Sequence, residues 1–259
     1  MARSLLPDER RRMIAELLRE RGSVTVAELE ERFGISLMTA RRDLAELERA
    51  GIARRTHGGA VLPGLSGHED SFTQRLGTEV AAKERLASAA LRLLEPGAAI
   101  YVDSSTSAYI AARRVLADNL RCTLLTNSLP VMDLVCESAA TQVDLVGVSG
   151  SLRPLTRSFV GPQAVSCVQA HFADYVLFSV RGVSDEGVLT DPDPFEAEVK
   201  RMMLARSRHP VLLLDGTKAG QVALAVVADV SSVRTIICTG FEEPAVARMR
   251  AGGVSVQAV

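Results

Sequence analysis

The sequence predicts an α/β protein in two parts, a small N-terminal unit of three helices with a hairpin and a larger domain with a mainly parallel sheet. Three observations predict this class. Apolar residues recur at helical spacing over the first 50 residues, short apolar strands alternate with helices beyond residue 72, and the stretch between is rich in Gly, Ser and Pro. Alternating strands and helices are typical of a parallel sheet covered on both faces. The intervening stretch has no sustained periodicity, so we place the domain limits at 1–60, 61–71 (a linker) and 72–259.

The composition is that of an ordinary globular chain. Of 259 residues, 47% are hydrophobic and 24% are charged, with a net charge of -1. No segment approaches the apolar run of a membrane helix, and the charged N-terminus lacks a signal-peptide core, so we expect a cytoplasmic protein with no membrane partner. The histidines are scattered and no C-x-x-C pair exists, so we expect no metal site. Four buried reduced thiols are expected at Cys122, Cys136, Cys167 and Cys238.

Start and stop signals define the first two helices. The first is expected from Asp8 to Arg21, with an apolar stripe of Met13, Ile14, Leu17 and Leu18. Thr25 and Glu28 have the spacing of a capping box, so a second helix starts there and ends at Gly34. Its expected inner stripe is Val26, Leu29 and Phe33.

A third helix is expected from Leu37 to about Ala50, with Ser36 as its N-cap. Two helices joined by a tight turn, the second basic near its N-terminus, form a helix-turn-helix, and that end of the second helix enters the major groove of DNA. There an arginine can bond guanine, and Met38 or Thr39 can contact a base or a thymine methyl group. We expect an inner face of Leu37, Ala40, Leu44 and Leu47, and an outer face of Met38, Thr39, Arg41, Arg42, Glu46 and Arg49.

The segment "IARRTHGGAVL" reads as a basic hairpin beside that helix, with a turn at Gly58 and Gly59. Such a wing would lie along the DNA backbone or in the minor groove. An oligomerisation arm with a solvated arginine-rich face is the alternative interpretation. The predicted DNA contacts are Ser36, Met38, Thr39, Arg41, Arg42, Arg54, Arg55, His57 and Gly58.

In the larger domain, polar residues follow each apolar strand, and a helix from Phe72 to Leu94 precedes the first strand. Ligands of such sheets bind at the carboxyl ends of the strands, where hydroxyls and helix N-termini suit phosphate. Asp103 and Asn127 could bond sugar hydroxyls, and Lys218 could neutralise an anion. Each residue alone could equally be a helix cap, and the i,i+4 pair Glu196–Lys200 could be an exposed ion pair.

The two halves resemble one family. "VTVAELEERFGISLMTARRDLAELERAGIARRTHGGA" is similar to the signature of DeoR-type transcriptional regulators, with mild departures at Glu30 and Ala40. "DSSTS", "LLTNSLP", "GVLTDPDPFEAEVKRMM" and "LLDGTKAG" resemble the sensor domain of that family, whose fold is related to ribose-5-phosphate isomerase. The sensor half departs from the pattern at Ser105, Ser149, Ser179, Arg181 and Ala219.

The resemblance implies a repressor whose operator affinity is controlled by a phosphorylated sugar or related metabolite. Its partners would be double-stranded operator DNA, that effector and further copies of the chain, with no cofactor. A sugar-phosphate isomerase or deacylase using Asp103, Glu196 or Lys218 and a partner-binding adaptor are the alternatives, although no acid/base pair at a defining spacing is visible. The expected effector-binding residues are Asp103, Ser104, Ser105, Thr106, Thr126, Asn127, Ser128, Gly150, Arg181, Glu196, Lys200 and Lys218.

Overall fold

The computed structural model describes residues 7–21, 23–50, 52–56, 59–61, 69–251 and 253–259, and for Arg54–Thr56 it describes the backbone alone. The chain divides into two compact units, Met1–Glu69 and Asp70–Val259, here called the small unit and the large unit. None of the described helices has the length and apolar character that a membrane crossing requires.

The small unit combines three helices with a three-stranded sheet. The predicted capping box is confirmed, since the Glu28 N–H donates to the Thr25 hydroxyl at 3.1 Å and the Thr25 N–H donates to the Glu28 carboxylate at 2.8 Å. Gly34 ends the second helix in the left-handed region at φ 61°, also as predicted. The elements are α1 (Pro7–Arg21), β1 (Ser23–Thr25), α2 (Val26–Phe33), α3 (Leu37–Arg49), β2 (Arg54–Thr56) and β3 (Gly59–Val61).

The sheet of the small unit differs from the predicted hairpin in two ways. A third strand, β1, pairs antiparallel with β3, which also pairs with β2. Gly59 lies in β3 rather than in the turn, because it pairs with both Thr56 and Thr25. A Cβ at Gly59 would lie 2.0 Å from the backbone oxygen of Val24, so close approach of the strands requires glycine there.

Two apolar positions of the small unit were assigned wrongly. Met13 and Leu37 are exposed, whereas their neighbours in the predicted stripes are buried. Leu37 is the first residue of α3, where no preceding turn exists to cover it. The core is formed by residues from all three helices together with strand and loop positions: Ile14, Ala15, Leu17, Leu18, Val24, Val26, Leu29, Ala40, Leu44, Leu47, Ala53 and Ala60.

The large unit is an α/β fold, as the alternating pattern predicts. Its elements are α4 (Phe72–Leu76), α5 (Val80–Leu91), β4 (Ala98–Val102), α6 (Thr106–Ala117), β5 (Cys122–Thr126), α7 (Leu129–Glu137), β6 (Val143–Gly147), β7 (Ser151–Arg153), β8 (Ser158–Val160), α8 (Pro162–Gln169), β9 (Ala173–Phe178), β10 (Gly182–Val183), β11 (Val188–Asp191), α9 (Pro194–Ala205), β12 (Ser207–Asp215), β13 (Ala225–Asp229), β14 (Thr235–Thr239), α10 (Glu243–Ala251) and β15 (Ser255–Ala258).

A seven-stranded parallel sheet organises this unit, in the order β15-β14-β12-β9-β4-β5-β6. Hydrophobic clusters cover both of its faces. From β4 the chain proceeds to β5 and β6 on one side and then returns to β9, β12 and β14 on the other. The point where the order reverses therefore lies between β4 and β9, which is where ligands of open α/β sheets bind.

Several parts of the large unit were mispredicted. The helix expected from Phe72 to Leu94 is broken into α4 and α5, because Glu79 adopts the left-handed region at φ 49° between them. The small sheet β10-β11-β13 and the strands β14 and β15 were not foreseen. Cys136 is exposed and Cys167 half-buried, whereas Cys122 and Cys238 are buried free thiols.

Candidate functional site

The N-terminus of α3 presents a polar surface, as predicted. The Ser36 hydroxyl caps the helix by accepting the Thr39 N–H at 3.2 Å, and the Ser36 and Thr39 hydroxyls are 2.9 Å apart. Met38 is 76% exposed, and Arg41 and Arg42 are exposed as well. Neither arginine forms an ion pair within the described part of the chain. Both guanidinium groups are therefore available to phosphates or base edges.

A buried ion pair holds α3 against α1. Arg10 donates from Nε to Oδ2 of Asp43 at 2.6 Å and from Nη2 to Oδ1 at 3.2 Å. Arg10 is 8% exposed and Asp43 3% exposed. Asp43 follows directly after Arg42, so this bidentate contact fixes the rotation of α3 that leaves Arg41 and Arg42 facing outward.

The structure describes the remaining predicted DNA contacts only in part. Arg54 and Arg55 lie on β2, where the backbone alone is described. His57 and Gly58 lie outside the described residues. On the outer face of α3, Arg49 and Glu46 pair with each other at 2.8 Å, which occupies that arginine in the free chain.

In the large unit, a buried lysine joins the two loops at the switch point of the sheet. The ammonium of Lys200, on α9, contacts Oδ2 of Asp191 at 2.5 Å and Oδ2 of Asp103 at 3.1 Å, and it donates to the Ser179 carbonyl at 2.6 Å. Burial lowers the pKa of Lys200, but the attraction of Asp191 and Asp103 outweighs burial and the pKa is raised overall. The ammonium of Lys200 is thus neutralised by two buried carboxylates and bonded to a backbone carbonyl, so we assign Lys200 to positioning the loops.

Asp103 is similarly occupied. Its Oδ1 accepts from the Ser105 N–H at 2.9 Å and the Ser105 hydroxyl at 2.5 Å, and its Oδ2 accepts from the Ser179 N–H at 3.3 Å. The cap of α6 is Ser105, which accepts the Ala108 N–H at 3.2 Å, and not Asp103. Ser104 and Thr106 flank this cap and are also buried. The loop after β4 is therefore rigidly tied to the loop after β9.

The exposed Glu196–Lys200 ion pair considered from the sequence is not present. Both side chains are buried, because the face of α9 that carries them packs over the strand ends. Glu196 accepts from the Ser158 hydroxyl at 2.6 Å and lies 3.5 Å from Nη1 of Arg153. Burial raises the pKa of Glu196, but Lys200 and the hydroxyl bonds outweigh it and the pKa is lowered.

Two side chains after β5 hold polar atoms that are buried without a hydrogen-bond partner among the described residues. These atoms are Oδ1 of Asn127 and Oγ of Ser128. Asn127 donates from Nδ2 to the Phe159 carbonyl at 3.0 Å, so its oxygen is held in a defined direction. Thr126, by contrast, donates to the Val102 carbonyl at 2.7 Å and accepts from the Ser128 N–H at 3.0 Å. Buried polar groups normally pair, so these two atoms are available to a hydrogen-bond partner from outside the described residues.

The loops after β9 and β12 lie side by side. Val183 bridges to Ala219, and a Cβ added at Gly182 would lie 2.1 Å from the Gln221 backbone oxygen. This contact brings the segment of Arg181 next to the segment of Lys218. Their ion pairs are long, 3.7 Å from Arg181 to Asp70 and 4.0 Å from Lys218 to Asp215.

Arg75 and Lys83 join this region and were missed by the sequence reasoning. Lys83 is buried at the break between α4 and α5, where its ammonium donates to the carbonyl of Arg75 and, at 2.6 Å, to that of Thr78. Nε and Nη2 of Arg75 are buried and have no hydrogen-bond partner within the described ranges. We call Arg75, Lys83, Arg181 and Lys218 the cationic cluster.

Positive charge accumulates in the cationic cluster. Burial, together with the charges of Lys218 and Arg75, lowers the pKa of Lys83 to about 8, although Asp215 offsets part of this effect. Burial also lowers the pKa of Lys218, where Arg181 and Arg75 add repulsion that Asp215 offsets in part. Like charges that depress one another's protonation are relieved when an anion binds among them.

Gly150 is required for close packing. A Cβ there would lie 2.7 Å from the Val160 backbone oxygen and 3.0 Å from the Ala164 side chain.

No group of three or more His, Cys, Asp or Glu side chains in the described part of the chain has metal-site geometry. A separate cavity of about 500 Å³ lies at the ends of β12 and β14, bordered by the turn at 184–187 and the start of α10.

Comparison with known proteins matches the chain along most of its length. Residues 10–64 match the model of a DeoR-like helix-turn-helix domain, and residues 78–239 match the model of a DeoR C terminal sensor domain. The uncharacterized HTH-type transcriptional regulator YgbI of Escherichia coli (strain K12) is 32% identical over 234 residues, 90% of each chain.

Two further relatives have names that state a role. The glycerol-3-phosphate regulon repressor of Escherichia coli (strain K12) is 30% identical over 88% of this chain and 89% of its own. The L-fucose operon activator of Haemophilus influenzae is 31% identical over 86% and 88%. Among solved structures, ribose 5-phosphate isomerase A from Methanocaldococcus jannaschii covers 55% of each chain at 14% identity with a TM-score of 0.41.

Proposed function

Because this chain belongs to the DeoR family of DNA-binding transcriptional regulators, we propose that it is a repressor of carbohydrate-metabolism genes whose operator affinity is controlled by a phosphorylated sugar or related metabolite. The family membership makes the chain a regulator and not an enzyme. The relatives named above include a repressor and an activator of sugar-related genes, and we favour repression because the glycerol-3-phosphate relative is a repressor.

The proposed DNA contacts centre on the N-terminus of α3. Arg41 and Arg42 would reach base edges or phosphates, and Met38 and Thr39 would contact bases in the major groove. Ser36 would bond a phosphate near the helix terminus. Arg54, Arg55, His57 and Gly58 would form the wing along the DNA backbone. The exposure of both α3 arginines without ion pairs in the described chain supports this assignment.

The proposal of a phosphorylated effector rests on one observation, the cationic cluster. Four positive side chains converge beside the switch point of the sheet, and the nearest carboxylates to two of them stand at 3.7 and 4.0 Å. The guanidinium of Arg75 has two nitrogens buried without a partner among the described residues. A phosphate would supply acceptors for these donors and remove the repulsion between them.

The other predicted effector residues divide into two roles in this proposal. Arg181, Lys218, Asn127 and Ser128 would contact the effector directly. Ser104 and Thr106 would offer hydroxyls and N–H groups at the start of α6, whereas the hydroxyl and N–H of Ser105 are already bonded to Asp103, so Ser105 would position this loop. Residues that are saturated by protein contacts or fill tight packing would position the loops: Asp103, Thr126, Gly150, Glu196 and Lys200.

The domain limits and the assembly stay proposals. We infer a DNA-reading part at 1–60, a linker at 61–71 and a sensor at 72–259. Readers of paired half-sites bind as symmetric dimers or larger assemblies, so we propose a homo-oligomer.

Thermal-shift measurements on the full chain test the effector assignment. A phosphorylated sugar that binds the folded chain selectively should raise the melting temperature, by RT ln(1 + [L]/Kd) in free energy. The unphosphorylated sugar at the same concentration is the control, and it should leave the melting temperature nearly unchanged. If no phosphorylated metabolite produces a shift, or if the unphosphorylated partner shifts it equally, the phosphate site is not an effector site.

A further inference from the structure

Asp70 contacts the cationic cluster from the start of the large unit. Its Oδ2 lies 3.7 Å from Nη1 of Arg181, and the two side chains are 34% and 26% exposed. The ion pairs of Lys200 at the neighbouring switch point are 2.5 and 3.1 Å long, with side chains at most 6% exposed. The Asp70–Arg181 pair is therefore long, partly hydrated and weak by comparison.

The backbone beside Arg181 is fixed, so its side chain can change partner while the loop stays in place. The Arg181 N–H donates to Oδ1 of Asp191 at 2.7 Å and to the Thr190 carbonyl at 3.0 Å. Asp191 is in turn held by Lys200. The Arg181 guanidinium can therefore exchange one acidic partner for another when its partly exposed side chain rotates. The sheet does not have to rearrange.

The chain immediately after Asp70 is anchored. Ser71 caps α4, accepting the Gln74 N–H at 3.3 Å, and the Phe72 N–H donates to the Leu155 carbonyl at 2.9 Å. The buried ring of Phe72 packs edge-on against Tyr109 at 5.4 Å between centroids. Asp70 is therefore the first residue of the large unit, directly before the anchored residues Ser71 and Phe72 and within the proposed linker of 61–71.

Two residues of the cluster are carried by different elements near this point. Arg75 is carried by α4, five residues after Asp70, and Arg181 is carried by the loop after β9. An anion held by Arg75, Arg181 and Lys218 would compete with the Asp70 carboxylate for Arg181, since both offer oxygen acceptors to the same guanidinium.

We propose that Asp70 is an internal competitor for the effector, its carboxylate occupying Arg181 in the free chain and being displaced when a phosphate group binds to Arg75, Arg181 and Lys218. This inference rests on the proposed phosphate site. It describes how phosphate binding at that site would change a contact at the end of the proposed linker. Displacement releases the contact that ties residue 70 to the loop after β9. The segment joining the two units is then held at Ser71 and Phe72 but no longer at Asp70.

Inorganic phosphate binding to the full chain, measured by calorimetry at constant ionic strength, tests the displacement. Asp70→Asn removes the competing charge and should tighten phosphate binding about two- to fivefold. Arg75→Ala should weaken it, because it removes a direct contact. Glu79→Gln is the matched control: it removes another exposed negative charge near the cluster, at a residue that has no ion pair with Arg181 among the described contacts.

A double-mutant cycle separates competition from general electrostatics. In an Arg181→Ala background, Asp70→Asn should leave phosphate affinity unchanged, because the side chain contested by Asp70 and phosphate is gone. If Asp70→Asn acts equally in both backgrounds, or no more strongly than Glu79→Gln, Asp70 is not a competitor, while the phosphate site itself survives. If the unmodified chain binds neither phosphate nor any phosphorylated metabolite, the proposed effector class and this inference both fail.

Discussion

Replacing Lys200 with methionine should lower the free energy of unfolding of the large unit by about 3–5 kcal/mol, the usual cost of leaving a buried charge without its partner. The ammonium of Lys200 contacts Asp103 and Asp191, which are 1% and 4% exposed. Without it, two carboxylates stay buried side by side at the switch point of the sheet. Urea unfolding of the full chain, followed by tyrosine fluorescence and circular dichroism, measures the loss.

The pH dependence of this variant identifies the cause of the loss. Burial raises the pKa of Asp191, and Lys200 counteracts this effect, so in Lys200→Met the pKa of Asp191 should rise further and the folded state should bind a proton above the unfolded carboxyl pKa of about 3.9. The loss in free energy of unfolding relative to the unmodified chain should therefore be largest at neutral pH and should shrink as the pH falls toward that value. If the loss in free energy of unfolding is the same at pH 5 and pH 7.5, its cause is lost packing and not an unpaired buried charge.

Lys218→Met provides the matched control. Its nearest carboxylate is 4.0 Å away, and burial together with the neighbouring cations already lowers its pKa. The same substitution should therefore change the stability of the large unit little or raise it slightly. If Lys200→Met is no more destabilising than Lys218→Met, the buried network does not hold the loops together as described.

Arg42→Ala should weaken specific operator binding by about 1–3 kcal/mol and relax base preference at one position of the site. Arg42 is exposed near the N-terminus of α3, and the adjacent Asp43 anchors the helix to Arg10. Fluorescence anisotropy with the operator and with single-base variants measures both effects. Binding to unrelated duplex DNA should change less, because that binding is mainly electrostatic.

Arg114→Ala is a suitable control for this prediction, because Arg114 is an exposed arginine on α6 of the large unit. It should leave operator affinity unchanged. If Arg41→Ala and Arg42→Ala also leave operator affinity unchanged, α3 is not the helix that reads the DNA.

The local features of the small unit could be predicted because they depend on neighbouring residues. The capping box at Thr25, the end of α2 at Gly34 and the cap at Ser36 follow from sequence spacing alone. The Arg10–Asp43 pair could not be foreseen, since it joins residues 33 positions apart and an aspartate within a polar run looks solvated.

In the large unit, too, the contacts between residues far apart in the sequence could not be predicted. Alternation of strands and helices predicted the parallel sheet and the loops at its carboxyl edge. The spacing of Glu196 and Lys200 suggested an exposed helical pair, but packing of α9 buries both and gives them separate partners. Arg75 lies 28 residues before the nearest predicted effector-binding residue, Asp103, so only the fold shows that its guanidinium belongs to the cationic cluster. Short strands such as β1 and β10 have too few residues to produce a recognisable pattern.

Operator affinity measured with and without phosphorylated metabolites tests the central claim most directly. Anisotropy titrations of the full chain on duplex DNA from its own upstream region should show tight binding that falls steeply with salt. A phosphorylated metabolite that raises the melting temperature should lower operator affinity at fixed salt by about 5- to 150-fold, the usual range of coupling between two sites. Operator affinity that stays the same when such a metabolite is saturating would contradict regulation through the cationic cluster.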